Sequence, residues 1–366
     1  MSAPVPLPAW ADRLLMPLLA LATAALAAAL LLLGIGENPA DALAIMLRGA
    51  LGSGEGIGFT LYYATNFIFT GLAVALAYHA GLFNIGAEGQ ATMAGIGAAL
   101  FIFAAEPITQ GFLLIPIGIV GAMIFGAVWA AIPGWLQAWR GSHVVITTIM
   151  FNFLAAIVSV YLLVNVIGKE GSMQPETRLI ADGAQLWTMQ AMLGALGFKS
   201  PSTPLNFAFV LALLAAFAVW VLIFRSKFGF HLRLIGTGND AARYAGINTQ
   251  RMIVLAMALS GALAAGMAVN EVMGVQHRVV IEFTSGYGFV GIAVALMGRN
   301  HPVGVILSAL LFGALYQGGT ELAFERPAIT RDLIVTLSGL VIFCVGALDQ
   351  LYRKPLAQLL ARREPG

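Results

Sequence analysis

The sequence predicts an all-α polytopic membrane protein of about ten transmembrane helices, with two inverted halves and glycine-broken helices near 81–95 and 285–298. Of its 366 residues, 60% are hydrophobic and 10% are charged, whereas soluble proteins carry about 25% charged residues. The apolar residues form blocks of roughly 18 to 25, the length at which a helix crosses about 30 Å of hydrocarbon. Short glycine-rich segments at corresponding places in two halves are typical of a transport pathway.

The ten candidate spans are separated by short polar segments. An even number of spans leaves both termini on one side of the membrane. If that side is the cytoplasm, the inner segments carry most of the Lys and Arg residues, as the positive-inside rule requires. The predicted spans lie near 14–34, 58–78, 82–104, 113–137, 144–167, 205–225, 251–271, 285–298, 303–320 and 333–350.

Two connections are long, and neither has the composition of a separate soluble domain. Residues 168–204 are predicted to form an extracytoplasmic loop, and residues 226–250 a cytoplasmic one, so that 1–366 is a single transmembrane domain. No GxxxxGK[ST] motif occurs, which argues against an ATP site of that type. Metal-ligand spacing and a catalytic triad pattern are also absent from the sequence. A net charge of +2 does not indicate a nucleic-acid partner, and the single cysteine, Cys344, allows no internal disulfide.

The segment "AGLFNIGAEGQATMAG" at 80–95 places polar groups and four glycines in an apolar region. A broken helix in a membrane persists only where protein or water covers its backbone. A carboxylate at that depth must face the bundle interior, find a donor or become protonated. Asn84 and Glu88 would share one face of a continuous helix. Together with Gln90, these residues either line a solute pathway or form a polar clamp between helices.

The second glycine-rich segment, "TSGYGFVGIAVALMGRNHPVG", starts at Thr284. Its apolar part, 285–298, is shorter than the roughly 20 residues that a full span needs. A half-helix is therefore expected. Ser285, Tyr287 and Phe289 are candidates for the wall of the pathway.

One further polar residue, Asn152, lies inside the otherwise apolar span near 144–167. Buried Asn residues commonly join transmembrane helices through hydrogen bonds worth about 0.6 to 2 kcal/mol. Asn152 is therefore either a brace between helices or a contact for the solute.

The cytoplasmic loop contains a short predicted helix that Asn239 would cap, with Asp240 in its first turn and Gly246 at its end. One face of this helix is small because it carries three alanines, Ala241, Ala242 and Ala245. A short helix with a smooth face and basic neighbours suits docking into a groove of another protein. An ordinary surface helix between two spans would have the same composition.

These segments resemble a known family. "DAARYAG", Asp240 to Gly246, resembles the EAA-x-x-x-G coupling motif of ABC importer permeases, with Asp240 in place of Glu. "GLFNIGAEGQ" at 81–90 is similar to the signature of the permease family for branched-chain amino acids, simple sugars and nucleosides, and most like the guanosine-type nucleoside subunit. "SHVVITTIMFNFLA" at 142–155 and "GIAVALMGRNHPVG" at 291–304 resemble the same subgroup, although Val144 stands where that subgroup usually has an acid. The resemblance covers nearly the whole chain after residue 35.

The resemblance implies a transport subunit and no enzyme. Its partners would be ABC ATPase subunits that bind ATP and Mg²⁺, a second permease subunit forming a heterodimer, and an extracytoplasmic solute-binding lipoprotein. Asp240, Ala241, Ala242 and Gly246 would belong to the coupling helix that the ATPases push. The chain would lie in the cell inner membrane, bind no cofactor itself and carry nucleosides.

Two other hypotheses stay open at this point. The same architecture could import a simple sugar or a branched-chain amino acid. An ion-coupled secondary transporter could use Glu88 as its proton site, but the coupling-type loop argues against that class.

Overall fold

In the computed structural model, the described residues are 15–169 and 171–326, with isolated positions at 8, 11, 329, 336, 339–340, 343–344 and 351–352. Most of the predicted tenth span, 333–350, therefore lies outside the described residues. The α-helices are α1 (Met16–Gly34), α2 (Pro39–Leu51), α3 (Gly54–His79), α4 (Ala87–Ala105), α5 (Leu114–Arg140), α6 (Val144–Asn165), α7 (Met189–Ala195), α8 (Ala208–Arg225), α9 (Lys227–Thr237), α10 (Asn239–Tyr244), α11 (Thr249–Ala268), α12 (Tyr287–Met297) and α13 (Pro302–Glu325). A π-helix, Val269–Gln276, continues α11.

Seven helical segments among the described residues are long and apolar enough to cross a membrane, namely α3, α4, α5, α6, α8, α11 with its π-helix, and α13. Each coincides with a predicted span. The first predicted span differs, because α1 is followed by α2 at a bend of 117°. Pro39 starts α2, and the Asn38 side chain caps it by accepting a hydrogen bond from Ala40 N. If α1 and α2 together form one span, the described residues contain eight. The helix α2 was not predicted from the sequence.

The predicted half-helix is confirmed, since α12 has only 11 residues. It follows a run of turns at 281–286, just as α4 follows an irregular break at 80–86. The inversion of the two halves stays a prediction, because the last span of the second half lies outside the described residues.

The chain forms two compact units, one of residues 1–56 with 314–366 and one of residues 57–313. In the first unit, α2 is tied to the end of α13 by an ion pair of 2.6 Å between Arg48 and Glu325. Arg326 lies 3.7 Å from Glu37. Both pairs are partly exposed, so each contributes at most about 1 kcal/mol to stability.

The second unit is held by close helix packing at glycines. A Cβ atom at Gly261 would collide with the Gly126 backbone, so α5 and α11 approach one another more closely than larger residues would allow. The Phe125 ring of α5 packs against Gly97 of α4, and the Phe101 ring of α4 packs against Gly121 of α5. Small residues bring transmembrane helices close because lipid offers no hydrophobic drive for their association.

The long loop 168–204 is partly ordered by the segment that follows the π-helix. Thr177 N donates to Val279 O at 3.0 Å, and Ile180 N donates to His277 O at 2.9 Å. Arg278 forms an ion pair of 3.0 Å with Glu176. This pairing joins segments about one hundred residues apart, and the sequence pattern gave no sign of it.

Candidate solute pathway and docking helix

The break before α4 begins at Gly81, whose φ of +73° is the left-handed conformation that glycine adopts without strain. Gly86 is the N-cap of α4, and the helix starts only at Ala87. Asn84 therefore lies outside the helix. Asn84 and Glu88 would share one face only of a continuous helix, and that condition is not met because the break falls between them.

Asn84 and Gln90 form a buried clamp. The Asn84 amide donates to Gln90 Oε1 at 3.0 Å and to Ser260 Oγ at 2.8 Å, and the Gln90 amide donates back to Asn84 Oδ1 at 3.1 Å. Ser260 in turn donates to Ala73 O. Asn84 is 0% and Gln90 1% exposed. Their polar groups are satisfied inside the protein, as burial requires, and they join α4 to α11 and α3.

Glu88 connects the two glycine-rich segments. Its Oε1 accepts from Gly286 N at 2.8 Å and its Oε2 from Gly288 N at 2.7 Å. These N–H groups belong to the N-terminal end of α12, where backbone donors have no partner within the helix and the helix dipole favours an anion. A Cβ at Gly288 would collide with the Glu88 backbone, so this close approach requires glycine.

Asn152 braces the same break from α6. Its amide nitrogen donates to Ile85 O at 3.0 Å, and its Oδ1 accepts from Gly89 N at 3.0 Å. Gly89 is packed directly on the Asn152 backbone, where a side chain at 89 would not fit. Both polar ends of the Asn152 amide are thus occupied by the backbone of the broken segment.

A cavity of about 350 Å³ lies between α4, α6 and the turns that precede α12. Small-molecule sites commonly occupy about 300–1,000 Å³. Four of the sequence-predicted pathway residues line it: Glu88, Asn152, Ser285 and Phe289. Asn84, Gln90 and Tyr287 do not line it. Tyr287 is buried and packs edge-on against the rings of Tyr63 and Phe67.

A buried polar network surrounds Glu271, which is 2% exposed, and none of its members was predicted from the sequence. Glu271 Oε1 accepts two hydrogen bonds, one from Tyr62 OH at 2.6 Å and one from the Asn66 amide nitrogen at 2.7 Å. The amide chain continues from Asn206 to Asn270 and from Asn270 to Asn66, each at 2.8 Å. The sequence contains two hints of this network. Asn270 and Glu271 stand together at the end of an apolar run. Tyr62 and Asn66 are four residues apart and therefore share one face of α3.

The cytoplasmic loop contains two helices, of which only the second was predicted. Gly238, and not Asn239, occupies the N-cap of α10, so the predicted capping role of Asn239 is wrong. Asp240, Ala241 and Ala245 are exposed, as is Gly246. Gly246 has a φ of +77° and open space around it. Ala242 points the other way and is fully buried in the core cluster that includes Leu232 and Ile253. The small face is thus divided between the exposed surface and the core.

The unpredicted helix α9 packs against the start of the break. Ser226 caps α9 by accepting from Gly229 N at 3.0 Å. Gly236, in its last turn, touches the backbone of His79 and Gly81 so closely that a Cβ would collide with His79 O. The His79 imidazole Nε2 lies 3.0 Å from Asn300 O, in the turn between α12 and α13. The loop that carries α10 is therefore in direct contact with the corner between α3 and the break.

Comparisons with known proteins agree with this architecture. The chain is 34% identical to a guanosine ABC transporter permease protein of Bacillus subtilis, over 89% of this chain and 92% of that one. It is 32% identical to a nucleoside ABC transporter permease protein of Lactococcus lactis, over 91% and 90%. A glucose ABC transporter permease protein of Haloferax volcanii is also 32% identical, over 88% and 84%.

Among solved structures, an inward-facing metal-chelate type ABC transporter aligns over 84% of this chain and 85% of that chain. Its sequence identity is 16% and the TM-score is 0.40, a similarity too low to support any inference. The family model described as branched-chain amino acid transport system, permease component, matches residues 56–346. With most of its length in that match and its spans in the expected places, the chain belongs to this family of ABC transporter permeases and is a transport component.

Proposed function

We propose that this chain is the transmembrane permease of an ATP-driven, binding-protein-dependent importer of nucleosides. The observation that carries the proposal is the cavity at the meeting point of the two interrupted segments, bounded by Glu88, Asn152, Ser285 and Phe289. It combines polar groups with an exposed aromatic ring, and a nucleoside offers a hydroxylated sugar and a flat base. The relatives named for nucleosides and guanosine support the same class of solute.

The energy source would be a pair of ABC ATPase subunits that bind ATP and Mg²⁺ and dock on α10. Support comes from the exposure of Asp240, Ala241 and Gly246 on a short projecting helix and from the resemblance of 240–246 to the coupling motif. Closure of the ATPases would move α10, and α9 would carry the movement to the corner at Gly81, where the break begins.

The remaining partners are those that the resemblance to ABC importer permeases implies. A second permease subunit would complete its wall, and a heterodimer of the two is the arrangement we propose. An extracytoplasmic solute-binding lipoprotein would deliver the solute to the side that bears loop 168–204. The chain would lie in the inner membrane with both termini in the cytoplasm, as the distribution of Lys and Arg favours.

A second candidate is the same architecture with a simple sugar or branched-chain amino acid as solute. The glucose permease relative, whose identity of 32% equals that of the nucleoside permease relative, favours keeping this candidate. A proton-coupled transporter built on Glu88 has less support. Both Glu88 carboxylate oxygens accept backbone N–H groups at the start of α12, which gives the residue a structural role without proton transport.

The test is uptake of labelled guanosine, adenosine and uridine by cells that lack this chain, with and without the native chain restored. An Ala241→Arg variant serves as the uncoupled control, because it places a large charge on the exposed face of α10 without touching the cavity. We expect uptake with the native chain alone. Uptake of ribose or leucine, but of no nucleoside, would establish the second candidate, and nucleoside uptake that persists without ATP would overturn the proposal.

A further inference from the structure

Two of the polar side chains that the sequence singled out at the cavity, those of Glu88 and Asn152, already have hydrogen-bond partners. Both Glu88 oxygens accept backbone N–H groups of the 286–288 turn. The Asn152 amide is held by Ile85 and Gly89. These bonds fix the orientation of both side chains in a bracing role. An unbonded group on the cavity wall is freer to adjust to a solute.

Glu282 is such a group. It lines the cavity, it is exposed, and among the described residues its carboxylate makes no hydrogen bond or ion pair. The backbone of Glu282 is fixed, since its carbonyl oxygen accepts from Ser285 N at 2.9 Å. Glu282 thus presents two acceptor oxygens to the cavity from an ordered turn.

The turn that carries Glu282 is conformationally unusual. Glu282 has a φ of +56° and Ser285 a φ of +47°. Both values lie in the left-handed region of the backbone, which residues other than Gly, Asn and Asp seldom adopt. Such backbone conformations concentrate at ligand sites, where surrounding structure holds them in place. Here the buried Phe283 ring packs onto Gly95 of α4 and so holds the turn against that helix.

An aromatic ring lines the same cavity as this carboxylate. Phe289 projects from the first turn of α12 and is 46% exposed, although it lines the cavity. The half-exposed ring offers a face on which a base or a sugar can stack. Within the described part of the chain, the cavity thus has one carboxylate without a hydrogen-bond partner and, on the same side of the chain as that carboxylate, the ring of Phe289; a second ring, Phe153 of α6, lines the α6 wall.

We propose that Glu282 selects the solute by accepting two adjacent hydrogen-bond donors from a molecule that stacks on Phe289. This inference rests on the proposed nucleoside function and specifies its chemistry. Within nucleosides, two adjacent donors occur in two places: the N1–H and 2-amino group of guanine, and the 2′,3′-diol of ribose. A carboxylate accepts either pair with its two oxygens, as it accepts a bidentate guanidinium.

The experiment compares native chain and Glu282→Gln in the whole importer in cells, at matched membrane amounts. Labelled guanosine uptake is competed with guanosine, inosine, which lacks the 2-amino group, and 2′-deoxyguanosine, which lacks one hydroxyl. Gln offers one acceptor and one donor, so the variant should lose affinity for guanosine by about ten-fold or more. Its affinity for the analogue that lacks the recognised donor should change by less than about three-fold.

If the Glu282→Gln substitution changes the affinity for inosine least, Glu282 recognises the guanine edge. If it changes the affinity for 2′-deoxyguanosine least, Glu282 recognises the ribose diol. An equal loss for all three competitors, or no loss, overturns the inference while leaving nucleoside import intact. If the native chain imports no nucleoside, the proposed function fails and this inference fails with it. Asp182→Asn, which alters an exposed acid in loop 168–204, is the matched control and should change no affinity.

Phe289→Leu gives an independent test of the stacking face. Leucine keeps an apolar side chain of comparable bulk on α12 but removes the aromatic surface. We expect a loss of affinity of about five-fold or more that is similar for guanosine, inosine and 2′-deoxyguanosine, because each keeps its base. Unchanged affinity for all three would overturn the role of Phe289.

Discussion

The carboxylate of Glu88, at the start of α4, accepts a hydrogen bond of 2.7 Å from the backbone N–H of Gly288 in the first turn of α12. The two residues are 200 positions apart and each belongs to one of the two interrupted segments. The bond stabilises the start of a helix with only 11 residues, which lacks the length to be stable alone. Any movement of α4 therefore moves the start of α12 and with it the cavity wall.

Replacing Glu88 with Gln should weaken this contact. An amide keeps one acceptor oxygen and turns a donor toward the second backbone N–H group, so one of the two bonds is lost. We expect the purified protein to lose about 1–3 kcal/mol of stability and uptake to fall with it. Thermal unfolding in detergent and solute uptake should be measured on the same preparation. Full stability with lost uptake would instead assign Glu88 a direct contact with solute.

Asn84→Asp tests whether the buried clamp is purely structural. Aspartate has the same shape but cannot donate to Gln90 Oε1 and Ser260 Oγ, which accept from Asn84 in the native chain. We expect stability to fall by about 1–3 kcal/mol and the ratio of guanosine to uridine uptake to stay unchanged at matched membrane amounts. A shifted ratio would place Asn84 on the pathway.

The Glu271 network should behave as one cooperative unit. Tyr62→Phe removes one donor to the Glu271 carboxyl group, and Glu271→Gln replaces one of its oxygens with an amide donor. We expect each variant to be destabilised and the double variant to lose less than the sum, with a coupling of about 0.5–3 kcal/mol. Tyr161→Phe, on the exposed surface of α6, is the control. Simple additivity in thermal unfolding would contradict a shared network.

Gly246→Arg should abolish uptake, but by two routes at once. The site has a φ of +77°, so arginine strains the backbone as well as filling the proposed docking surface. Gly246→Asn separates these effects, because asparagine tolerates the left-handed conformation and adds little bulk. We expect uptake near normal in Gly246→Asn and none in Gly246→Arg or Ala241→Arg. ATP hydrolysis by the complex should no longer respond to solute in the arginine variants, and normal uptake in both would remove the docking role of α10.

Gly236→Ala tests the contact between α9 and the break. The added methyl would collide with His79 O and approach Gly81 N, so α9 must shift or the corner must move. We expect a loss of about 1–3 kcal/mol and reduced uptake. Gly238→Ala is the matched control two residues away, since its nearest neighbour, the Ala241 Cβ, is 3.9 Å distant. Equal behaviour of the two variants would show that the close contact does not matter.

Several features could be predicted from the sequence because they depend on local composition. Apolar blocks long enough to cross a bilayer identified the seven helical segments that, within the described part of the chain, are long and apolar enough to be spans. The shortness of 285–298 predicted the half-helix, since its length alone is insufficient for a full span. The motif at 240–246 predicted a short helix in the right place, because its alanines favour a helix and Gly246 ends it within a few residues.

Other features could not be predicted, because they arise between residues far apart in the chain. Tyr62 and Glu271 are 209 positions apart, and no periodicity in either segment reveals the partner. The same holds for Glu282, whose free carboxylate is noticeable only once Glu88 and Asn152 are seen to be occupied by backbone groups. The sequence determined by itself that the chain is a multi-span helical permease with two interrupted segments, since hydrocarbon imposes length and polarity on each helix separately. Only the tertiary structure decided which polar side chains brace those interruptions and which face the cavity. The reason is that helix packing brings each donor next to an acceptor from a distant part of the chain.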